Sequence, residues 1–423
     1  MIGFQAKIRV YDYLYIFFGG GVSTGIAFVN SIIIARTIGP AEFGLFSLFF
    51  VVMVLTWQLP MAFDTTFIRY AKTSNCSLEK NDFLKTALLL KLFYSAIVIC
   101  ISYPLSYLLA NYCFHKPETH SILLASMISG IFLSFLKTIA SIFQEKEKFF
   151  KFAMLNTFYA FSILCSLLLL KALKYEFSLR IVVLIYLIVS FIFGVTSIVL
   201  LFRKLGNIFR FKTHALKKSF SLGKWIFGVT VVYFIFQRLD ILFLTRYFNS
   251  ESIGIYFVGS QLVMIISLAI GSLSGVSLPR ACAAIKSKGS FKVFVRESLL
   301  VVAVINIFIV GLLVISPFLI KMLYGNEYIL ASSILRILLI GWAFATAYVP
   351  FSFLYYAYDD SSTRFFLEFS KIAIAVIALY MLIPKYGLNG GAIAISIALT
   401  ANATISIIVL VIRKKYKYKG AIV

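Results

Sequence analysis

Acidic residues are scarce in this sequence: 16 Asp and Glu stand against 40 Lys and Arg in 423 residues. All charged residues together make up only 13%, where soluble domains carry about 25%. So little charge cannot clothe a water-soluble surface, so a soluble fold is excluded. Histidine and cysteine are few as well. Cys76, Cys100, Cys113, Cys165 and Cys282 show no CxxC spacing, which excludes a disulfide framework and a zinc site. His115, His120 and His214 stand near loops without the carboxylates or partners of an acid–base or metal enzyme. No GxxxxGK[ST] loop is present to bind ATP. The longest polar connection, from Arg203 to Lys224, is too short for a domain of its own.

What remains is 61% hydrophobic residues, with a mean hydropathy of +0.97. The apolar residues come in continuous runs of about 20, the length that crosses a bilayer as a helix. Barrel strands would be about 10 residues long with alternating polarity, a pattern these runs do not follow. The expected spans are 13–35, 44–63, 86–110, 121–143, 152–171, 180–202, 225–245, 255–278, 298–320, 330–356, 367–383 and 389–412. The fold class is therefore an all-α integral membrane protein of about 12 transmembrane helices. The N-terminal MIGFQAKIRV is followed by a long apolar run without a small-residue cleavage site, so this run is expected to stay as the first span.

A net charge of +24 would suggest a nucleic-acid partner in a soluble protein. Here the bases cluster at the ends of the apolar runs, which fits membrane orientation and anionic lipid headgroups and gives no reason to expect nucleic acid. With the N-terminus inside, the short loops divide Lys and Arg about 28 to 8 in favour of the cytoplasmic side, so both termini are expected in the cytoplasm.

The two halves of the chain resemble each other. A shift of 210 residues lays Asn30 on Asp240, Ala35-Arg36 on Thr245-Arg246, and Phe43-Gly44-Leu45-Phe46 on Ile253-Gly254-Ile255-Tyr256. The expected domains are thus two six-helix lobes, 1–210 and 211–423, of the same orientation, a design transporters use to hold a substrate. Gly39-Pro40 and Gly44 suit a tight reversal between the first two spans, with Glu42 near the helix N-terminus that follows.

The segment Ile33 to Phe49, IIARTIGPAEFGLFSLF, resembles the Wzx-type polysaccharide repeat-unit flippases of the MOP exporter superfamily, which also holds MATE drug exporters and lipid II flippases. The second half repeats the pattern at Asp240 to Gln261, DILFLTRYFNSESIGIYFVGSQ, followed by Leu278-Pro279-Arg280, Tyr324-Gly325-Asn326-Glu327-Tyr328 and Tyr386-Gly387-Leu388-Asn389-Gly390-Gly391. The resemblance implies a MATE- and MurJ-like, two-lobed, multi-pass protein of the bacterial cytoplasmic membrane. Such a protein would flip a polyprenyl-pyrophosphate-linked oligosaccharide for O-antigen, capsule or exopolysaccharide synthesis. Membrane lipids, a polysaccharide polymerase and a chain-length regulator are its candidate partners. No cofactor is expected, and coupling would come from a proton, sodium or the membrane potential.

A pyrophosphate stripped of water needs positive charge around it. Charges inside spans are costly unless they snorkel to the interface, so each is a candidate. Lys91 and Lys137 lie about 8 to 9 Å from the cytoplasmic ends of their expected spans, within reach of snorkelling, and Arg336 lies similarly near the outer end. Arg238 is the deepest and the leading substrate ligand. Asn30, Asn156, Gln237, Gln261 and Asn306 could meet sugar hydroxyls. Asp240, two residues from Arg238, falls on a nearly opposite helix face and is the candidate coupling carboxylate. Tyr348, Tyr355, Tyr356 and Tyr358 read as an aromatic belt. Two rival functions remain from the residues alone: a MATE-like cation-coupled drug or metabolite exporter, which would favour cavity acids, and a membrane glycosyltransferase or polymerase.

Overall fold

A computed structural model of the chain describes residues 10–73, 77–146, 148–206, 235–263, 288–358 and 360–416, with residues 216, 228, 231, 232, 266 and 281. The regular elements among these residues are helices, and no strand occurs among them. The chain divides into two compact units, residues 1–234 and 235–423; the expected lobe boundary at 210/211 lies outside the described residues. The expected spans 225–245 and 255–278 lie partly outside them too.

Unit 1 contains α1 (Val10–Gln58), α2 (Met61–Thr73), α3 (Ser77–Leu108), α4 (His120–Glu145), α5 (Phe149–Ala172) and α6 (Leu179–Leu205). At 49 residues, α1 would be about 73 Å long if straight, more than twice the hydrocarbon thickness of about 30 Å. It is two helices meeting at Gly39, whose φ of 75° and ψ of 173° are non-helical. A φ in that range is open to glycine and strained for other residues, which is why the break falls at the Gly39-Pro40 pair. The second helix ends at Gln58, five residues before the expected boundary, because Pro60 follows and disfavours helical backbone at Leu59.

Unit 2 contains α7 (235–247), α8 (250–263), α9 (Lys288–Tyr324), α10 (Ala331–Ala357) and α11 (Ser361–Tyr416). The 56-residue α11 is likewise two helices, broken at Gly387 with φ 61° and ψ −138°, inside the Tyr386-to-Gly391 motif. In this unit α10 packs between α9 and α11. In unit 1, α4 is the hub: it touches α1, α2, α3, α5 and α6.

Among the described residues, eight helical segments are long and apolar enough to cross a membrane. The distribution of polarity agrees. Ile307 and Phe318 are 72% and 70% exposed, whereas Lys91, Asp64, Arg238 and Asp240 are buried. Water would drive the reverse arrangement, so the exposed apolar faces of α3, α5, α6 and α9 are lipid faces.

The internal similarity of the two halves extends to burial. Residues 31–36 run buried, half-buried, half-buried, buried, buried, exposed, and residues 241–246 repeat that order. Phe43 and Phe46 are buried like their counterparts Ile253 and Tyr256. Glu42 has a role beyond its own helix: its Oε2 accepts from the Leu179 backbone N–H at 2.7 Å. It thereby caps α6, whose first N–H groups have no helical partner and whose dipole favours an anion.

Candidate functional site

Helix α4 carries polar groups on two faces. On one, Ser134, Thr138 and Ser141 recur at helical spacing. There the Lys91 ammonium, brought by α3, donates to Asp64 Oδ2 of α2 at 2.6 Å, to Thr138 Oγ1 at 2.6 Å and to the Ser134 carbonyl at 3.0 Å. Thr138 also donates to Asp64 Oδ1 at 3.1 Å. Lys91 is 0% and Asp64 4% exposed. Lys91, placed by sequence within reach of snorkelling, does not snorkel: its stem points into a three-helix junction, where a carboxylate neutralises it and all three N–H groups are used. An ion pair so deep is tolerated because both members are paired and hydrogen-bonded.

One residue before Thr138 on α4, Lys137 points to another side of the helix. Its ammonium donates to Asn156 Oδ1 of α5 at 2.6 Å and lies 4.8 Å from the centre of the Trp57 ring at the end of α1. The Asn156 amide N–H group donates to the Phe152 carbonyl at 2.9 Å, which leaves its oxygen to Lys137. One turn along α5, the Ala160 carbonyl accepts from Asn30 Nδ2 at 3.0 Å. Asn30 is 1% exposed, and its Oδ1 meets no donor among the described residues. Three predicted residues, Lys137, Asn156 and Asn30, are thus gathered on one stretch of α5, with Trp57 added.

In unit 2, Arg238 and Asp240 are each 6% exposed. Asp240 Oδ2 accepts from the Tyr256 hydroxyl at 2.7 Å and its Oδ1 from the Ile241 N–H at 2.8 Å. Asp240 thus takes its side-chain hydrogen bond from a tyrosine on α8. Gln261 accepts at 3.5 Å from Tyr324 of α9, Gln237 is half-buried, and Asn306 donates to its own helix at Val302 at 3.0 Å. Lys371 of α11, inside the expected span 367–383, is 8% exposed. It pairs with Glu368, 4.3 Å from the centre of the Phe236 ring.

Arg336 is exposed and ties α10 to α9. Pro317 has no N–H, so the Leu313 carbonyl four residues earlier lacks its helical donor. Arg336 Nε donates to that carbonyl at 3.1 Å and to Ser316 Oγ at 2.9 Å, while Ser316 donates to the same carbonyl at 2.9 Å. A proline break and a basic residue on the next helix are thus one device.

Sequence reasoning missed Asp64, Trp57 and Tyr256. Asp64 falls one residue past an expected span, and Trp57 reads as an interfacial aromatic. The Ser134/Thr138/Ser141 spacing on α4 was a legible pointer to a polar partner, because hydroxyls on one buried helix face imply something for them to bond.

The profile of the family described as polysaccharide biosynthesis protein matches residues 10–284. A Shigella flexneri protein named "Putative O-antigen transporter" is 28% identical over 193 residues, covering 45% of this chain and 45% of that protein. The chain thus matches less than half the length of that relative. Among solved structures, the lipid II flippase MurJ in an inward closed conformation aligns over 94% of this chain and 87% of its own, at 19% identity and a TM-score of 0.76. An inward-facing multidrug resistance MATE family transporter of the MOP superfamily aligns over 94% and 96%, at 12% identity and a TM-score of 0.73. These two share the fold. With a profile match over well more than half its length, the chain belongs to the polysaccharide biosynthesis protein family.

Proposed function

We propose that this protein is a flippase of the bacterial cytoplasmic membrane that moves a polyprenyl-pyrophosphate-linked oligosaccharide from the inner to the outer leaflet by alternating access. The observation that carries this reading is the family match over residues 10–284. The similarity to an O-antigen transporter and the MurJ-like fold are consistent with it. Two bases in the membrane interior, the buried Arg238 and the half-buried Lys137, stand where anionic cargo needs compensation.

The fuller topology belongs to the same proposal. Breaks at Gly39 and Gly387 make two crossings each of α1 and α11, and the sequence runs 225–245 and 255–278 complete twelve. The excess of cytoplasmic Lys and Arg puts both termini inside. With the cytoplasm negative, outward transfer of the anionic head gains about 2.3 kcal/mol per net charge per 100 mV, so the membrane potential assists the step.

The test is reconstitution into vesicles containing a fluorescent polyprenyl-pyrophosphate oligosaccharide, with a membrane-impermeant quencher reporting the leaflet. Protein-dependent exchange of the glycan between leaflets is expected, and no export of a cationic dye. Dye movement without glycan movement would overturn the reading in favour of a drug exporter.

A further inference from the structure

Two lysines meet helix α4, Lys91 buried and Lys137 half-buried, and their surroundings differ in kind. Lys91 meets a carboxylate and spends its three N–H groups on Asp64, Thr138 and Ser134. Lys137 makes one hydrogen bond, to the neutral Asn156 amide, and a contact with the face of Trp57. No carboxylate lies within ion-pair distance of Lys137 among the described residues. An ammonium so placed, with two N–H groups to spare, suits an anion brought from outside the protein.

The neighbouring groups narrow the class of anion. Asn156, itself anchored to the Phe152 carbonyl, lies one turn along α5 from the Ala160 carbonyl that holds Asn30. The buried Asn30 Oδ1 accepts from nothing among the described residues. An acceptor in need of a donor repels a bare phosphate oxygen but suits a hydroxyl. Trp57 is half-buried, with a broad apolar ring of the kind that packs against a pyranose. Cation, hydroxyl acceptor and aromatic face together match a molecule that joins phosphate to sugar.

We propose that Lys137, Trp57, Asn156 and Asn30 form a receptor within unit 1 for a glycosyl diphosphate, with Lys137 holding the phosphate and Asn30 a sugar hydroxyl. The proposal rests on the flippase reading and adds that unit 1 alone holds the phosphate–sugar junction, while Lys91 is excluded from it by its own ion pair.

The chain has three tryptophans, Trp57, Trp225 and Trp342, so Trp225→Phe with Trp342→Phe leaves Trp57 as the reporter beside Lys137. Purified in detergent and titrated with inorganic pyrophosphate, this protein should show a saturable change in Trp57 emission. Lys137→Gln should raise the half-saturating concentration at least about tenfold, and Lys137→Arg should restore it. Asn156→Asp keeps the side-chain shape and sets a counter-charge against Lys137, so it too should weaken binding at least about tenfold while the protein stays folded. No saturable change in the parent, or an unshifted midpoint in Asn156→Asp and Lys137→Gln, overturns the proposal. The two readings fail separately. Glycan flipping with a Lys137-independent pyrophosphate response removes the receptor and leaves the flippase; a Lys137-dependent response in a protein that flips no glycan does the reverse.

Discussion

Replacing Lys91 with methionine keeps the apolar stem and removes the ammonium from the α2–α3–α4 junction. Asp64, 4% exposed, then keeps only the Thr138 hydroxyl at 3.1 Å as a side-chain donor. Removing one member of a buried pair leaves an uncompensated charge and costs about 3–5 kcal/mol, or two to nearly four powers of ten in the unfolding equilibrium. Adding Asp64→Asn removes the charge at fault. Exchange of a buried pair for neutral groups of similar volume is often close to neutral, so the double variant should regain all but about 1–2 kcal/mol. Lys137→Met serves as the contrast. It gives up one hydrogen bond and a ring contact but also removes an uncompensated charge, for a net change within about 1 kcal/mol. Reversible unfolding in mixed detergent micelles, followed by helical circular dichroism, measures all three. A Lys91→Met protein as stable as the parent, or a double variant no better than the single, would refute the argument that this pair is structural.

Three further outcomes follow from the same geometry. Arg336→Met should destabilise the protein by about 1–3 kcal/mol, since the Leu313 carbonyl loses a charged donor. In a Pro317→Ala background, where the helix regains its own N–H, the loss should shrink, and a double-mutant cycle checks the coupling. Glu42→Ala should lower the unfolding midpoint by an amount worth about 0.5–2 kcal/mol, because the first turn of α6 loses its cap. Tyr256→Phe should cost about 1–3 kcal/mol by leaving Asp240 Oδ2 without its donor, read in the same unfolding assay.

Much of the fold was readable because each helix boundary has a local cause. Gly39 and Gly387 break their helices inside motifs singled out from the sequence, and Ala331–Ala357 falls within a residue of the expected tenth span. Boundaries slipped where the apolar run and the helix part company. Pro60 ends a helix inside an apolar stretch, and α9 begins at Lys288, ten residues before hydropathy would start it, because a helix continues past the bilayer with Lys292 and Arg296 on it. The candidate site was legible by residue type and less so by pairing. Burial depth flagged Lys91 and Lys137 alike, but what separates them is a carboxylate on α2, 27 positions from Lys91, and an amide on α5, 19 positions from Lys137. Spacing along one helix gives direction, while the identity of the facing residue comes from packing between helices.

The central claim is that an anionic lipid-linked glycan crosses by way of Lys137 and that Lys91 takes no part. Leaflet exchange of a fluorescent polyprenyl-pyrophosphate oligosaccharide, measured side by side in vesicles holding equal amounts of folded parent, Lys137→Gln and the Asp64→Asn/Lys91→Met pair, tests it most directly. The account predicts near-parental exchange for the pair and a loss of at least about tenfold for Lys137→Gln. Parental exchange by Lys137→Gln alongside a dead pair variant would contradict it.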